Sequence, residues 1–292
     1  MKNRQGAIVK INYADVIIIF ILMIFTLLAL YPFVYTIAGS FNDGIDYEYG
    51  GIWLIPRKFT LANYITVFTD KRLYRAFLNT VIATVAGVAG GLAFTSCVAY
   101  AMSHPKLKFH KVFWVINMIT MFFGGGLIPY FMLIKGIGLY NSFLVYIIPS
   151  LYSVYNMIVL SNFFRGIDNA MRESAMLDGA SEFRIWWSLY LPVSMPALAT
   201  VGLWLTVGHW NSYMPTLIYT KKDESMWLLQ FYLMKIIKDA NLPDSDPSIS
   251  SEISAKTISF AAIVISSIPI FLVYPFVAKY FTKGVMVGAV KG

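Results

Sequence analysis

The chain has 292 residues, 58% of them apolar and only 13% charged, which excludes an ordinary soluble protein. Its net charge of +8 has no basic stripe or nucleic-acid motif behind it, so the excess reads as a membrane-topology signal and no nucleic-acid partner is expected. The single cysteine, Cys97, leaves no disulfide framework and no thiolate metal site.

Six stretches are long enough to cross a bilayer core, near 16–38, 78–102, 112–134, 143–164, 197–219 and 258–278, and none contains Asp, Glu, Lys or Arg. The expected fold is therefore all-α, a polytopic bundle of six transmembrane helices in one domain, 1–292. The first run is too long for a signal peptide and lacks a small-residue cleavage site, so it reads as a retained span. Lys2, Arg4 and Lys10 precede it, and Lys106, Lys108 and Lys111 fill the second short loop, whereas the loop after the third span has only Lys135. The bias places both termini in the cytoplasm of a multi-pass membrane protein.

The external segment 41–77 carries Trp53-Leu54-Ile55-Pro56 and then a helix from Thr60 to near Thr69. In the second span, Gly87-Val88-Ala89-Gly90-Gly91 offers a small-residue face for close helix packing. Pro32, Gly124–Gly126 with Pro129, Pro149, Pro215 and Pro269 interrupt the spans, which protein or a water-filled cavity must then cover. The external segment 220–257 opens with an apolar run from Met226 to Ile237, too short to span and expected to dock or lie at the interface. A polar turn, Pro243-Asp244-Ser245-Asp246-Pro247, follows it.

The cytoplasmic segment 165–196 has different punctuation. Asp168 is a good N-cap and Gly179 sits where a helix would end in a left-handed turn. At 100° per residue Ile167, Ala170, Met171, Ser174, Ala175 and Leu177 share one face, opposite Asn169, Arg172, Glu173 and Met176. A second helix starts at Ser181 and runs to Tyr190, before Leu191-Pro192 and Pro196 break its direction. Such an elbow suits a membrane subunit driven by a separate motor; it equally suits a loop that shields the bundle end.

No phosphate-binding loop occurs, so the chain is not expected to be an enzyme or to bind a cofactor or metal. The intramembrane acids and bases of an ion-coupled carrier are missing too. His209-Trp210-Asn211-Ser212-Tyr213 is the candidate pathway lining: rings for the flat C–H faces of a sugar beside an amide and a hydroxyl. The same residues equally suit helix–helix contact. Trp204 reads as an interface anchor.

Glu173-Ser174-Ala175, Gly179 and Leu191-Pro192 resemble the EAA loop of ABC-importer permeases, with Ser174 in place of a family alanine. Pro192 through Leu198, Phe123-Gly124-Gly125-Gly126-Leu127-Ile128-Pro129 and the tail from Lys283-Gly284 to Lys291-Gly292 are similar to the carbohydrate branch, the maltose-type inner-membrane permeases. The Trp210-Asn211 pair is similar as well. The resemblance implies an oligosaccharide importer of the bacterial cell membrane, assembled from this chain, a second homologous permease, two ATP-binding cassette subunits and an extracytoplasmic solute-binding protein. ATP and Mg would be used by the partner ATPase. Glu173, Ser174, Ala175, Asp178, Gly179, Leu191 and Pro192 would couple to it, and Lys283, Gly284 and Lys291 would reach it as a flexible tail. A permease for a non-sugar solute, or an ATPase-independent channel or carrier, stays as the alternative.

Overall fold

The computed structural model describes residues 13–240 and 254–289. The basic amino end, the Pro243–Pro247 turn and Lys291 lie outside the described residues, whose regular structure is helical apart from one isolated bridge between Asn42 and Phe59.

α1 (Tyr13–Ser40) is one apolar rod. After it come α2 (Gly44–Glu48), capped by Asp43, and α3 (Ala62–Thr69), the helix expected from Thr60. α4 (Lys71–Ser103) starts on the Asp70 cap. The third span is broken into α5 (His110–Phe122) and α6 (Leu127–Gly136), which meet at 115°. The break centres on Gly126, whose φ of 84° a side chain would strain. Tight turns over Phe143–Ser150 run at 42° into α7 (Val154–Arg165), as Pro149 forewarned. α8 (Asn169–Leu177), α9 (Glu182–Ile185), a π turn over Trp186–Tyr190 and α10 (Leu191–Val193) form the segment 165–196. An 85° bend at Ser194 then leads into α11 (Met195–Trp210).

α11 stops at Trp210, short of the expected 219, and a separate π turn fills Thr216–Thr220. α12 (Leu229–Ala240) and α13 (Ala255–Ala289) complete the chain. The tail expected to be extended is thus helix as far as Ala289, since single glycines such as Gly284 weaken a helix without stopping it. By length and composition three helices can cross a membrane, and up to six spans result if each bent pair counts as one.

The described residues fall into two compact units, 13–69 with 235–266 and 70–234 with the rest of α13. In the first, buried Asn63 ties its elements together. Its amide donates to Ser40 O and Asn42 O at 3.0 and 2.9 Å, and its carbonyl accepts from Thr257 at 2.8 Å.

In the second unit α4 is the central post, packed along α7 and α11. The small-residue face does what its composition suggests. A Cβ on Gly87 would overlap the His209 ring, one on Gly90 would lie 2.6 Å from Leu151 Cδ2, and one on Gly91 would lie 3.2 Å from Leu205 Cδ1. Met157, Leu160, Phe164, Tyr190 and Val201 fill the core beside α4. The Met226–Ile237 run differs from expectation: Trp227, Leu228, Leu229, Phe231, Tyr232 and Leu233 are buried, so this stretch is core and presents no apolar docking surface. Leu229 N donates to buried Thr80 Oγ1 at 2.8 Å, which ties the run to α4.

The Gly87–His209 contact generates a double-mutant test. Gly87→Ala alone should cost about 1–3 kcal/mol, the usual range for overpacking. In a His209→Ala background the same change should cost little. Thermal unfolding of the purified protein in detergent reads both, and additive losses would refute the contact.

Candidate functional site

The segment 165–196 folds as its punctuation dictates. Asp168 Oδ1 accepts from Ala170 N at 2.9 Å and starts α8. Gly179 takes φ 80°, and Ala180 N then reaches Ala175 O at 3.0 Å, which satisfies a helix-end carbonyl. Ser181 accepts from Arg184 N and starts α9.

The segment turns inward only part of the face its periodicity suggests, Ile167 and Ala175, which pack against the core. Leu177 is 89% exposed, and Met171 and Met176 are also outside. Ala175 packs against the core, while Arg172 forms an ion pair with Glu182. Nine residues give a helix little amphipathic signal, and one ion pair with the next helix outweighs it. Glu173, Ser174, Asp178, Gly179 and Pro192 are exposed, and Leu191 packs partly against the core.

Four residues that sequence reasoning missed hold this segment to the bundle: Arg172, Glu182, Tyr100 and His104. The Tyr100 hydroxyl donates to Glu182 Oε2, so one carboxylate joins α8, α9 and the end of α4. The Tyr100 ring meets those of His104 and Tyr190 edge-on at 4.6 and 4.7 Å, and Tyr190 meets Phe164 at 5.6 Å. Arg165 Nη2 donates to Met102 O at 3.1 Å, a cation at the carboxyl end of α4 where the helix dipole favours it. Beside the network lies a cleft of about 560 Å³, lined by Tyr100, His104, Lys106, Arg172, Glu173 and Phe183 among others.

Burial pushes the Glu182 carboxyl up, but the Tyr100 hydroxyl and Arg172 outweigh it and hold it below the ordinary carboxylate range. The pair stays charged at neutral pH. Glu182 is half exposed, so screening leaves the pair worth no more than about 1 kcal/mol, and what it supplies is geometry. Burial, reinforced by Arg172, lowers the His104 pKa against a smaller opposing pull from Glu182.

The pathway candidates divide. Trp210 is buried, edge-on to Phe77 at 5.8 Å, and is committed to packing. His209 lies against Gly87 and lines a cleft of about 290 Å³ with Tyr146, Trp204 and Ser212. Asn211 and Tyr213 are exposed, and Asn211 Oδ1 accepts from Gln230 Nε2 at 3.4 Å, a partner unforeseen in the sequence. Of the tail candidates, Lys283 and Gly284 fall within α13.

Residues 112–287 match the family model described as "Binding-protein-dependent transport system inner membrane component". Over the full length of both chains the sequence is 35% identical to the polygalacturonan/rhamnogalacturonan transport system permease protein YtcP of Bacillus subtilis. The fold superposes with a TM-score of 0.86 and 32% identity on a chain of a bacterial ABC transporter for import of the acidic polysaccharide alginate, covering 93% of this chain and 99% of that one. A chain from the alginate transporter complexed with a pentasaccharide-bound periplasmic protein shares the fold at TM-score 0.55 and 15% identity, over 89% of this chain and 92% of that one.

His104 makes the site pH-sensitive with a definite sign. Its folded pKa lies below the ordinary 6.5, so the unfolded chain binds the proton first as pH falls. Stability present above pH 6.5 should be lost progressively below it. His104→Gln should flatten that acid limb in thermal melts at pH 8 and pH 5.5; an unchanged slope would show that His104 does not carry it.

Proposed function

The chain belongs to the family of inner-membrane components of binding-protein-dependent transport systems, and from that premise we propose that it is a permease subunit of an ATP-driven oligosaccharide importer. The observation that carries the reading is the full-length likeness to one carbohydrate permease, joined to the close superposition on a second. The chain is a transport subunit and not an enzyme. Its proposed partners are a second homologous permease, two cytoplasmic ATPases and a solute-binding protein, with ATP and Mg used by the ATPases. Both termini and α8 face the cytoplasm on the positive-inside argument.

In the proposed mechanism, ATP-driven closure of the ATPase pair displaces α8 through its exposed Glu173, Ser174 and Asp178. The Arg172–Glu182–Tyr100 chain hands the movement to the end of α4. Because α4 packs along α7 and α11, the bundle follows and switches between inward- and outward-open forms. The π turn at Trp186–Tyr190 sits where the direction must change, a common use of such turns. The α13 tail, with Lys283 and Gly284, is proposed to meet the ATPases, and Lys291 lies outside the described residues.

An acidic oligosaccharide is the favoured cargo. At the start of α4, exposed Lys71, Arg72, Arg75, Lys221 and Lys222 outnumber Asp70, Asp223 and Glu224. The two stretches are joined there, since Asn79 Nδ2 donates to Ser225 O and Trp227 O at 2.8 and 3.0 Å. A positive collar at the mouth raises the local concentration of a polyanion. Asn211, Tyr213 and His209 are proposed to meet the sugar deeper in. Reconstituted importer with its binding protein should take up oligogalacturonate in preference to a neutral oligosaccharide of equal length. Preference for the neutral sugar would overturn the acidic reading, and ATPase stimulation by neither would overturn the carbohydrate reading.

Coupling is tested separately. Glu182→Gln and Arg172→Met each weaken a hydrogen bond to a charged group, so transport per ATP should fall roughly ten-fold while the complex still assembles. Gly179→Val should do the same by straining the left-handed turn, whereas Gly179→Asn, which tolerates that conformation, should retain most coupling. Equal coupling in the valine and wild-type complexes would refute the assignment of this loop.

A further inference from the structure

The segment between α2 and α3 folds into a lobe whose two ends are tied at the exit of α1. Asp43 N donates to Lys58 O at 2.9 Å and Thr60 N to Phe41 O at 2.8 Å. Buried Asn42 accepts through Oδ1 from Arg57 N at 2.8 Å and Lys58 N at 3.1 Å. Arg57 Nε closes the lobe on Asp46 Oδ2 at 3.0 Å. On its outside Tyr49 is 83% exposed, Trp53 67%, Leu54 61% and Ile55 75%, an apolar rim that water alone would not favour.

The depth of this rim follows from α1. Val16 to Val34 are 19 uncharged residues. At 1.5 Å per residue they cover about 28 Å, close to the roughly 30 Å of a hydrocarbon core. The uncharged stretch continues to Asn42, so counted from charged Asp15 the core ends near Tyr35, in the last turns of α1. The Tyr35 hydroxyl is hydrogen-bonded to that of Tyr47 in α2 at 2.8 Å, and the Phe260 ring packs edge-on to both, at 5.8 and 5.4 Å. α2 consequently lies beside the last turns of α1, and Tyr49 follows it directly. The lobe is held at the headgroup level of the bilayer and does not project into the aqueous phase.

We propose that the lobe 49–59 is an interfacial lipid anchor. Trp53, Leu54 and Ile55 enter the headgroup–acyl boundary of the leaflet where α1 ends, and Arg57 and Lys58 lie at the level of the lipid phosphates. Aromatic rings with an apolar body and a polar edge suit that boundary, and neighbouring basic side chains reach the phosphates above it. A soluble binding protein would need a surface standing clear of the headgroups, which the Tyr35–Tyr47 bond denies this rim. The anchor sets the height of α1 in the membrane, a helix whose apolar window is wholly exposed among the described residues.

The test uses the full chain in its assembled transporter, in vesicles of phosphatidylethanolamine and phosphatidylglycerol. In a Cys97→Ala background, Ile55→Cys carries an environment-sensitive fluorophore, with Ile24→Cys as the mid-span control. At position 55 quenching by lipid with a nitroxide at acyl carbon 5 should exceed that by carbon 12 roughly two-fold, as for groups 5–10 Å into the boundary. The order should reverse at position 24. Absence of lipid quenching at 55, or its removal when binding protein is added, would overturn the anchor in favour of a protein partner. Trp53→Ser with Ile55→Ser should shift the quenching depth at position 24 while leaving assembly intact; an unmoved depth would refute the height-setting role.

Discussion

Close approach of α4 to its neighbours is the constraint on which the second unit depends. Lipid tails are as apolar as leucine, so membrane helices gain little by hiding hydrophobic faces and associate through van der Waals contact between surfaces that fit. Gly87, Gly90 and Gly91 let His209, Leu151 and Leu205 come nearer than any side chain at those positions would allow. Thr95 adds a hydrogen bond to Leu151 O at 3.1 Å across the same seam. The contact is dense along one face of α4, and the other faces are left to lipid and partners. That is why a helix with only a third of its apolar window buried can still organise α7 and α11.

The carboxyl end of the same helix has a different chemistry. There Tyr100 places its ring in the aromatic core and its hydroxyl on Glu182, so one side chain is both core and contact. The half-exposed ion pair with Arg172 adds little stability by itself. What it adds is a defined link from α8 through Glu182 to α4, since α8 cannot slide past Glu182 without breaking the Arg172 hydrogen bond. Met171, Met176 and Leu177 are uncovered among the described residues, and an exposed apolar surface at the end of a membrane subunit fits a docking partner.

How much of this was legible depended on range. Asp168, Gly179 and Ser181 act within a few residues of themselves, and α8 and α9 begin and end where those residues say. The six apolar runs were legible because bilayer thickness imposes a length. The bends were legible as interruptions but not as angles: Gly126 announces a break, while the 115° between α5 and α6 has no local signal. The Tyr100–Glu182 bond joins residues 82 apart and leaves no local pattern. Trp210 illustrates the reverse error, because an aromatic ring suited to a sugar is equally suited to Phe77, and composition cannot choose. Met226–Ile237 read as an interfacial helix because burial under other elements is invisible in a window of a dozen residues.

The distribution of polar contacts finally constrains how motion can travel. The spans hold no Asp, Glu, Lys or Arg, so there is no charge pair at depth to break and reform as the bundle moves. Among the described residues, the ion pairs of the second unit and the Tyr100 contact lie at the ends of α4, and between them α4 meets its neighbours through glycine, alanine and threonine. Packed surfaces of this kind transmit displacement because they are stiff and have no slack to absorb it. A movement delivered to Tyr100 must therefore appear along the whole of α4 and in α7 and α11. In the proposed mechanism the glycine seam that holds the unit together is for the same reason the element that carries its motion.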